Sequence, residues 1–153
     1  MVFEFFGVFG QVGGASPAQV LPAFSFVLRD QRIFTNKDLP AGKPLLFVLF
    51  DADCPHCQRA VRSIDEQRAA FAKVEIVLVS MDGWDKIDRF VAGFAPHLKE
   101  LGNARVVRDP QYQFIGRFKP RKFPGMFLFG ADGKLIEYED NEGTVFRFVR
   151  VLG

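Results

Sequence analysis

The chain is short of the residues that most often carry chemistry: 153 residues hold two cysteines, two histidines, one tryptophan and three methionines. That leaves no four-ligand set for a structural zinc ion, because there is no second cysteine pair and the only histidine besides His56 is His97. Charge nearly cancels, with 20 Lys and Arg against 18 Asp and Glu for a net +2, and no aromatic-and-basic platform stands out, so no nucleic acid partner is expected. No apolar stretch approaches the roughly 20 residues of a membrane-spanning helix, so no membrane span is expected in this chain. Residues 1–12 are rich in Phe and Val but lack the Lys or Arg that opens a secretory signal. They read as the remnant of a trimmed targeting segment, a vector-derived start or a native extra strand. Gly7, Gly10, Gly13 and Gly14 are not followed by Lys-Ser or Lys-Thr, which argues against a phosphate loop.

Phenylalanine is abundant, at 19 copies, and predicts a core filled with large rings. The length fits one domain that buries roughly two-thirds of its unfolded surface. The most informative stretch is the unbroken apolar run Leu45-Leu46-Phe47-Val48-Leu49-Phe50, followed by Asp51-Ala52-Asp53 and then Cys54-Pro55-His56-Cys57. The run reads as a strand buried on both faces, and Val61, Ile64 and Phe71 recur at helical spacing behind it. Cys54 then falls at the N-cap and Pro55 at the first helical position, where a missing N–H costs nothing. Free backbone N–H groups and the positive end of the helix dipole face the Cys54 sulfur and favour thiolate over thiol. His56 adds a donor in the same loop. Cys57, one turn on, is placed to attack a mixed disulfide formed at Cys54. A structural disulfide here closes too small a loop to restrain the unfolded chain, and a soft-metal carrier using Cys54, Cys57 and His56 is the other bland reading.

In chain order, residues 23–28 read as a strand, Asp30-Gln31 as a turn and residues 32–35 as the returning strand. After the cysteine turn, a helix is expected to end near Lys73, and residues 74–79 form a second interior strand. Asp82 reads as the cap of a helix with Trp84, Ile87, Phe90, Val91 and Phe94 on one face, Trp84 being a packing residue. Pro96 restarts a short turn through Leu101 with His97 on its solvated side. A strand over 105–108 and a brief helix from Asp109-Pro110 through Phe118 follow. Residues 126–129 and 134–139 form a hairpin around Asp132-Gly133, and residues 144–152 show helical spacing.

This order, with Phe123-Pro124 entering the hairpin, resembles the thioredoxin fold: an α/β architecture with a central mixed sheet flanked by helices and an N-terminal β extension. Pro22-Ala23-Phe24, Gly42-Lys43-Pro44, Ser80-Met81-Asp82 and Arg108-Asp109-Pro110 are similar to the TlpA/ResA branch of extracytoplasmic thioredoxin-like proteins. The resemblance implies an N-terminal arm over 1–20 and a thioredoxin-like domain over 21–153. It implies a thiol-disulfide oxidoreductase without an added cofactor or metal. Cys54 is then the exposed nucleophile and Cys57 the buried resolving thiol. Pro124 is the proline whose preceding peptide bond is cis, with the Phe123 backbone pairing to a substrate peptide beside the sulfurs. Pro55 and His56 between the cysteines are similar to the dipeptide of DsbA, an oxidant, whereas the scaffold resembles branches that often act as reductants.

Two departures from the family are visible. Asp53 stands where relatives commonly have Trp, and Val48 and Ala60 occupy places where many relatives bury an acid behind the cysteines. Proton transfer at Cys57 then relies on water or another group. Arg117, Lys119, Arg121 and Lys122 read as a solvated loop or as a basic rim around the sulfurs. Expected partners are protein dithiols or disulfides and a redox partner protein, with the chain itself a monomer. The resemblance points to the bacterial periplasm or another extracytoplasmic site, although a dithiol pair works equally well chemically in the cytoplasm. A peroxiredoxin-like peroxidase and a non-enzymatic copper-handling module on the same fold are the competing functions.

Overall fold

Residues 16–153 are described by a computed structural model; the sequence readings of residues 1–12 lie outside them. Seven strands form one sheet: β1 (Ser25–Val27), β2 (Ile33–Thr35), β3 (Leu45–Leu49), β4 (Glu75–Ser80), β5 (Ala104–Arg108), β6 (Gly125–Phe129) and β7 (Leu135–Glu139). Their spatial order is β2-β1-β5-β4-β3-β6-β7. β3 pairs parallel with β4 and β4 with β5, and the remaining pairings are antiparallel. The sheet is therefore mixed, with β3, the strand that leads to the cysteine turn, near its middle.

Every residue of β3, β4 and β6 is buried, which is why these segments read as continuous apolar runs and not as alternating ones. Alternation is still present in space. Leu46, Val48 and Phe50 face one layer, and Leu45, Phe47 and Leu49 face the other. The first layer holds α1 (Pro55–Glu66), α2 (Trp84–Phe94) and α4 (Val145–Leu152), whose buried residues include Ile64, Ile87, Phe90 and Phe148. The second is covered by α3 (Gln113–Phe118) and by the β1–β2 hairpin. Here the phenylalanines gather: Phe24, Phe26, Phe34, Phe47, Phe114, Phe118, Phe127 and Phe129 share one cluster. Phe114 stacks on Phe118 at 4.0 Å, and both meet Phe127 edge-on at 5.7 and 5.5 Å. The sheet is thus sided by chemistry, mainly aliphatic and cysteine-bearing with a few rings on one face and predominantly aromatic on the other.

Three local expectations are corrected. α1 stops at Glu66 and gives way to a 3-10 turn over Arg68–Phe71 instead of running to Lys73. The cause is local: Gln67 Nε2 turns back to Ser63 and Arg68 Nη1 to the Asp65 carbonyl, satisfying the last-turn acceptors. Asp82 does not cap α2; Gly83 stands at that position. The Asp82 carboxylate instead accepts from the Ala52 N–H and the Ser80 hydroxyl, both at 2.9 Å. His97 is exposed, as expected, and buried Asp65 accepts from its backbone N–H at 3.0 Å and pairs with its Nδ1 at 3.2 Å. α3 starts at Gln113, where the fully buried Asp109 carboxylate accepts from the N–H groups of Gln113 and Phe114.

The last residues before the sheet lie along its outer hairpin. Ala18 donates to the Phe118 carbonyl, Leu135 donates to the Gln19 carbonyl and Val20 bridges Lys134. Among the described residues no helix is long and apolar enough to cross a membrane.

The aromatic layer makes a quantitative expectation. Phe127→Ala removes a ring that is 0% exposed and should cost about 3–5 kcal/mol, read as a lower urea midpoint. Phe146→Ala, at a residue 50% exposed, should change stability by less than about 0.5 kcal/mol in the same assay.

Candidate functional site

The site begins where β3 ends. Phe50 is still tied to β4 through its N–H to the Val79 carbonyl, and the chain then turns within Asp51-Ala52-Asp53. Each peptide of this turn is pinned. Ala52 donates to Asp82, Asp53 to the Asp51 carboxylate at 2.9 Å, and Cys54 to the Asp51 carbonyl at 3.1 Å. Gln58 Nε2 reaches back to the Ala52 carbonyl at 3.0 Å. Cys54 emerges from this lattice as the N-cap of α1 with Pro55 at the first helical position.

The Cys54 sulfur accepts the Cys57 N–H at 3.4 Å, so it occupies the place of an ordinary capping oxygen and faces the open end of the helix. The residue is partly exposed. Cys57 is 0% exposed and packs in the same cluster as Val48 and Ala60. Both thiols are free, and the Cys57 thiol lies within hydrogen-bonding reach of the Cys54 sulfur. Burial holds the Cys57 thiol far above the ordinary thiol range; the Asp51 peptide pulls the other way, and the Cys54 sulfur and the Asp51 charge add to the rise. At neutral pH the pair therefore contains one reachable sulfur and one protonated, sealed thiol. With Val48 and Ala60 apolar, the carboxylate whose charge bears on Cys57 is that of Asp51.

The charges nearest Cys54 differ from those the sequence suggested. Asp53, 72% exposed at its side chain, pairs with Lys86 of α2 at 2.7 Å, so its charge is offset and points to solvent. His56 does not turn to the sulfur; its Nδ1 is paired with the Glu142 carboxylate, which also takes Arg59 Nε. Arg59 is the cation whose field reaches Cys54. Of the basic run, Arg117 donates to the Ala23 carbonyl at 2.8 Å, and Arg121 lies 5.0 Å over the Tyr138 ring. A copper ion at this site has two thiols to use, and the third candidate donor, His56, is drawn to Glu142. Among the described residues no group of three His, Cys, Asp or Glu side chains is placed to hold a metal.

Phe123 and Pro124 sit at the entrance to β6. Their peptide bond is cis. Phe123 is half-buried and packs against both layers, including the cluster that Cys54 borders, and Pro124 is buried. Among the described residues, neither the Phe123 N–H nor its carbonyl makes a hydrogen bond. Two residues outside the motif shape this corner. The Tyr138 hydroxyl accepts the Arg121 N–H at 2.8 Å and donates to Asp140 at 2.9 Å; its burial, with the Asp140 bond, pushes its pKa up to about 12 against the pull of the Arg121 peptide. Gly125 must be glycine, since a Cβ there would meet the Pro120 Cβ at 2.6 Å.

Arg59, Glu142 and Tyr138 are thus site residues that sequence reasoning missed. His56 and Arg59 are three apart and share a helix face, so one acceptor can meet both side chains. Nothing local marks Glu142 or Tyr138 as its neighbours.

Residues 17–138 match the AhpC/TSA family. No curated protein sequence matches the chain. Among solved structures, a thioredoxin-like protein from Porphyromonas gingivalis is 24% identical, with 86% of this chain and 90% of that one covered at a TM-score of 0.63. A secreted Mycobacterium tuberculosis disulfide oxidoreductase homologous to Escherichia coli DsbE is 20% identical, covering 84% and 95% at 0.67. A peroxiredoxin-like protein from Aquifex aeolicus is 18% identical, covering 90% and 88% at 0.65. The thioredoxin-like mixed α/β fold expected from the sequence is the observed one.

The asymmetry of the two sulfurs is directly measurable. In the folded, reduced protein at neutral pH, iodoacetamide should modify Cys54 on the order of 100-fold faster than Cys57, the second thiol reacting only after denaturation. Mass spectrometry of tryptic peptides checks this.

Proposed function

The chain belongs to the AhpC/TSA family, and from that premise we propose that it is a thiol-disulfide oxidoreductase that exchanges disulfides with protein substrates through Cys54 and Cys57. The observation that carries this reading is the placement of a partly exposed sulfur at a helix N-cap with a buried, protonated thiol in reach of it. In the reducing direction the Cys54 thiolate attacks one sulfur of a substrate disulfide. That S–S bond breaks, one substrate sulfur leaves as a thiolate and takes a proton from solvent, and a Cys54–substrate disulfide forms. Cys57 then attacks the Cys54 sulfur, its proton passing to the departing second substrate sulfur. The products are a Cys54–Cys57 disulfide and two substrate thiols; the reverse sequence oxidises a substrate dithiol.

The free backbone of Phe123 supports a role in holding the substrate. An extended peptide that pairs with its unbonded N–H and carbonyl gains main-chain hydrogen bonds without displacing any within the chain. Pro124 fixes the end of that stretch, and Pro55 and His56 form the rim between the two sulfurs. The partners implied are a protein substrate and a second redox protein that restores the starting state. The likeness to the secreted Mycobacterium tuberculosis disulfide oxidoreductase supports a location outside the cytoplasm.

A second reading, peroxide reduction, is supported by the family match and by the likeness to the Aquifex protein. Against it stand Asp53 directly before the reactive sulfur and Cys57 only one turn away, which do not resemble a peroxide-activating pocket.

Cys54→Ser should abolish insulin-disulfide reduction, and Cys57→Ser should accumulate mixed disulfides visible on non-reducing gels. Full activity in the Cys54 variant removes the assignment. Peroxide consumption faster than insulin reduction by the wild-type chain would put the peroxidase reading first.

A further inference from the structure

A histidine between two redox cysteines favours the reduced form when its ring faces the first sulfur, because it supplies a donor, and when protonated a charge, to the thiolate. In this chain the ring faces elsewhere. Glu142, in the 3-10 turn Glu142–Thr144 that leads into α4, pairs through one carboxylate oxygen with His56 Nδ1 and through the other with Arg59 Nε. The two α1 side chains converge on it, with Arg59 Nη2 3.4 Å from His56 Nδ1. Those two contacts hold the Glu142 carboxyl below the usual carboxylate range, so it is a fixed negative charge at neutral pH. The turn that carries it is itself held, by the Asn141 side chain accepting the Gly143 N–H at 2.7 Å and by the Thr144 hydroxyl donating to the Asn141 carbonyl at 2.8 Å.

We propose that Glu142 is a positioning residue that sets the redox balance of the Cys54/Cys57 couple toward the reductant, by drawing His56 off the reactive sulfur and offsetting the charge of Arg59. This deepens the oxidoreductase reading and rests on it. The argument is one of competition. Arg59 already acts on Cys54 across space, and only Pro55 stands between His56 and Cys54 in the chain. A carboxylate that binds both opposes any gain the thiolate draws from them. A less stabilised thiolate means a less stable reduced pair, hence a stronger reductant. The remaining charges around the turn are accounted for separately. Asp53 is paired with Lys86 of α2, Asp82 with the Ala52 N–H and the Ser80 hydroxyl, and Asp51 holds the Asp53 N–H. Removing the charge at 142 therefore leaves these in place.

The test is equilibration of the full chain with glutathione, in which the Cys54–Cys57 disulfide and two glutathione molecules give the dithiol and one glutathione disulfide. Glu142→Gln should move the equilibrium constant about tenfold toward the dithiol, which corresponds to about 30 mV. The rate of Cys54 alkylation at pH 6 should rise about fivefold in parallel. Glu142→Asp, which keeps the charge, should restore most of the wild-type balance. Adding His56→Ala to Glu142→Gln should cancel most of the gain. An equilibrium constant within about twofold of wild type, or a shift toward the disulfide, overturns the proposal. Its failure is separable from failure of the functional reading: glutathione equilibration reports on the couple alone, whereas insulin reduction by the wild-type chain reports on protein exchange.

Discussion

A strand buried on both faces has no freedom of register, because a slip by one residue sends every side chain to the wrong layer. β3 is such a strand. Its partners on either side are themselves fully buried, and Leu45 to Leu49 are matched one for one with Glu75 to Val79 and with Phe129 to Gly125. The point where this ladder ends fixes where the chain leaves the sheet and therefore where the Cys54 sulfur meets the helix end. The chemistry of the site is a consequence of that constraint, since the same cysteine one residue earlier would stand in the exposed turn and one residue later would lose the capping position.

The composition serves the same end. Filling the second layer with stacked and edge-on rings gives dense packing behind β3 and β6 with few rotatable bonds to immobilise. The first layer mixes aliphatic side chains with Phe50, Phe71, Phe90 and Phe148 and holds the second cysteine. That division seals Cys57 against solvent while Cys54, three residues earlier, stays within reach of a substrate. The electrostatic difference between two chemically identical thiols thus comes from which side of a helix turn each occupies.

How much of this was legible in the chain depends on distance along it. The buried strands, the capping position of Cys54 and the placement of Pro55 are local properties, written in runs of apolar residues and in a four-residue motif. The hairpin around Asp132-Gly133 was legible for the same reason, with Gly133 adopting φ 80° at its tip. α4 was readable despite its β-branched content, because Val145 and Phe148 keep helical spacing and are the residues that bury. The misreadings came where a side chain has two uses. Asp82 has the composition of a helix cap, but the cysteine turn needs an acceptor for Ala52 and takes it. His56 is two residues from Cys54 in sequence, yet its ring belongs to a carboxylate 86 residues away. Tyr138 and Gly125 shape the Phe123-Pro124 corner through contacts that exist only once the hairpin has closed on the loop before it.

The short segment that precedes the sheet has a role that its lack of regular structure conceals. β7 is one of the two edge strands, and at its start its backbone is met by Gln19, with Val20 bridging Lys134 just before it. Unsatisfied peptide groups on such a flank attract other chains, so these few residues act as a guard rail against self-association. A protein trimmed to begin at residue 21, the boundary suggested by the sequence, would keep its redox pair and its core while presenting a raw margin to its neighbours.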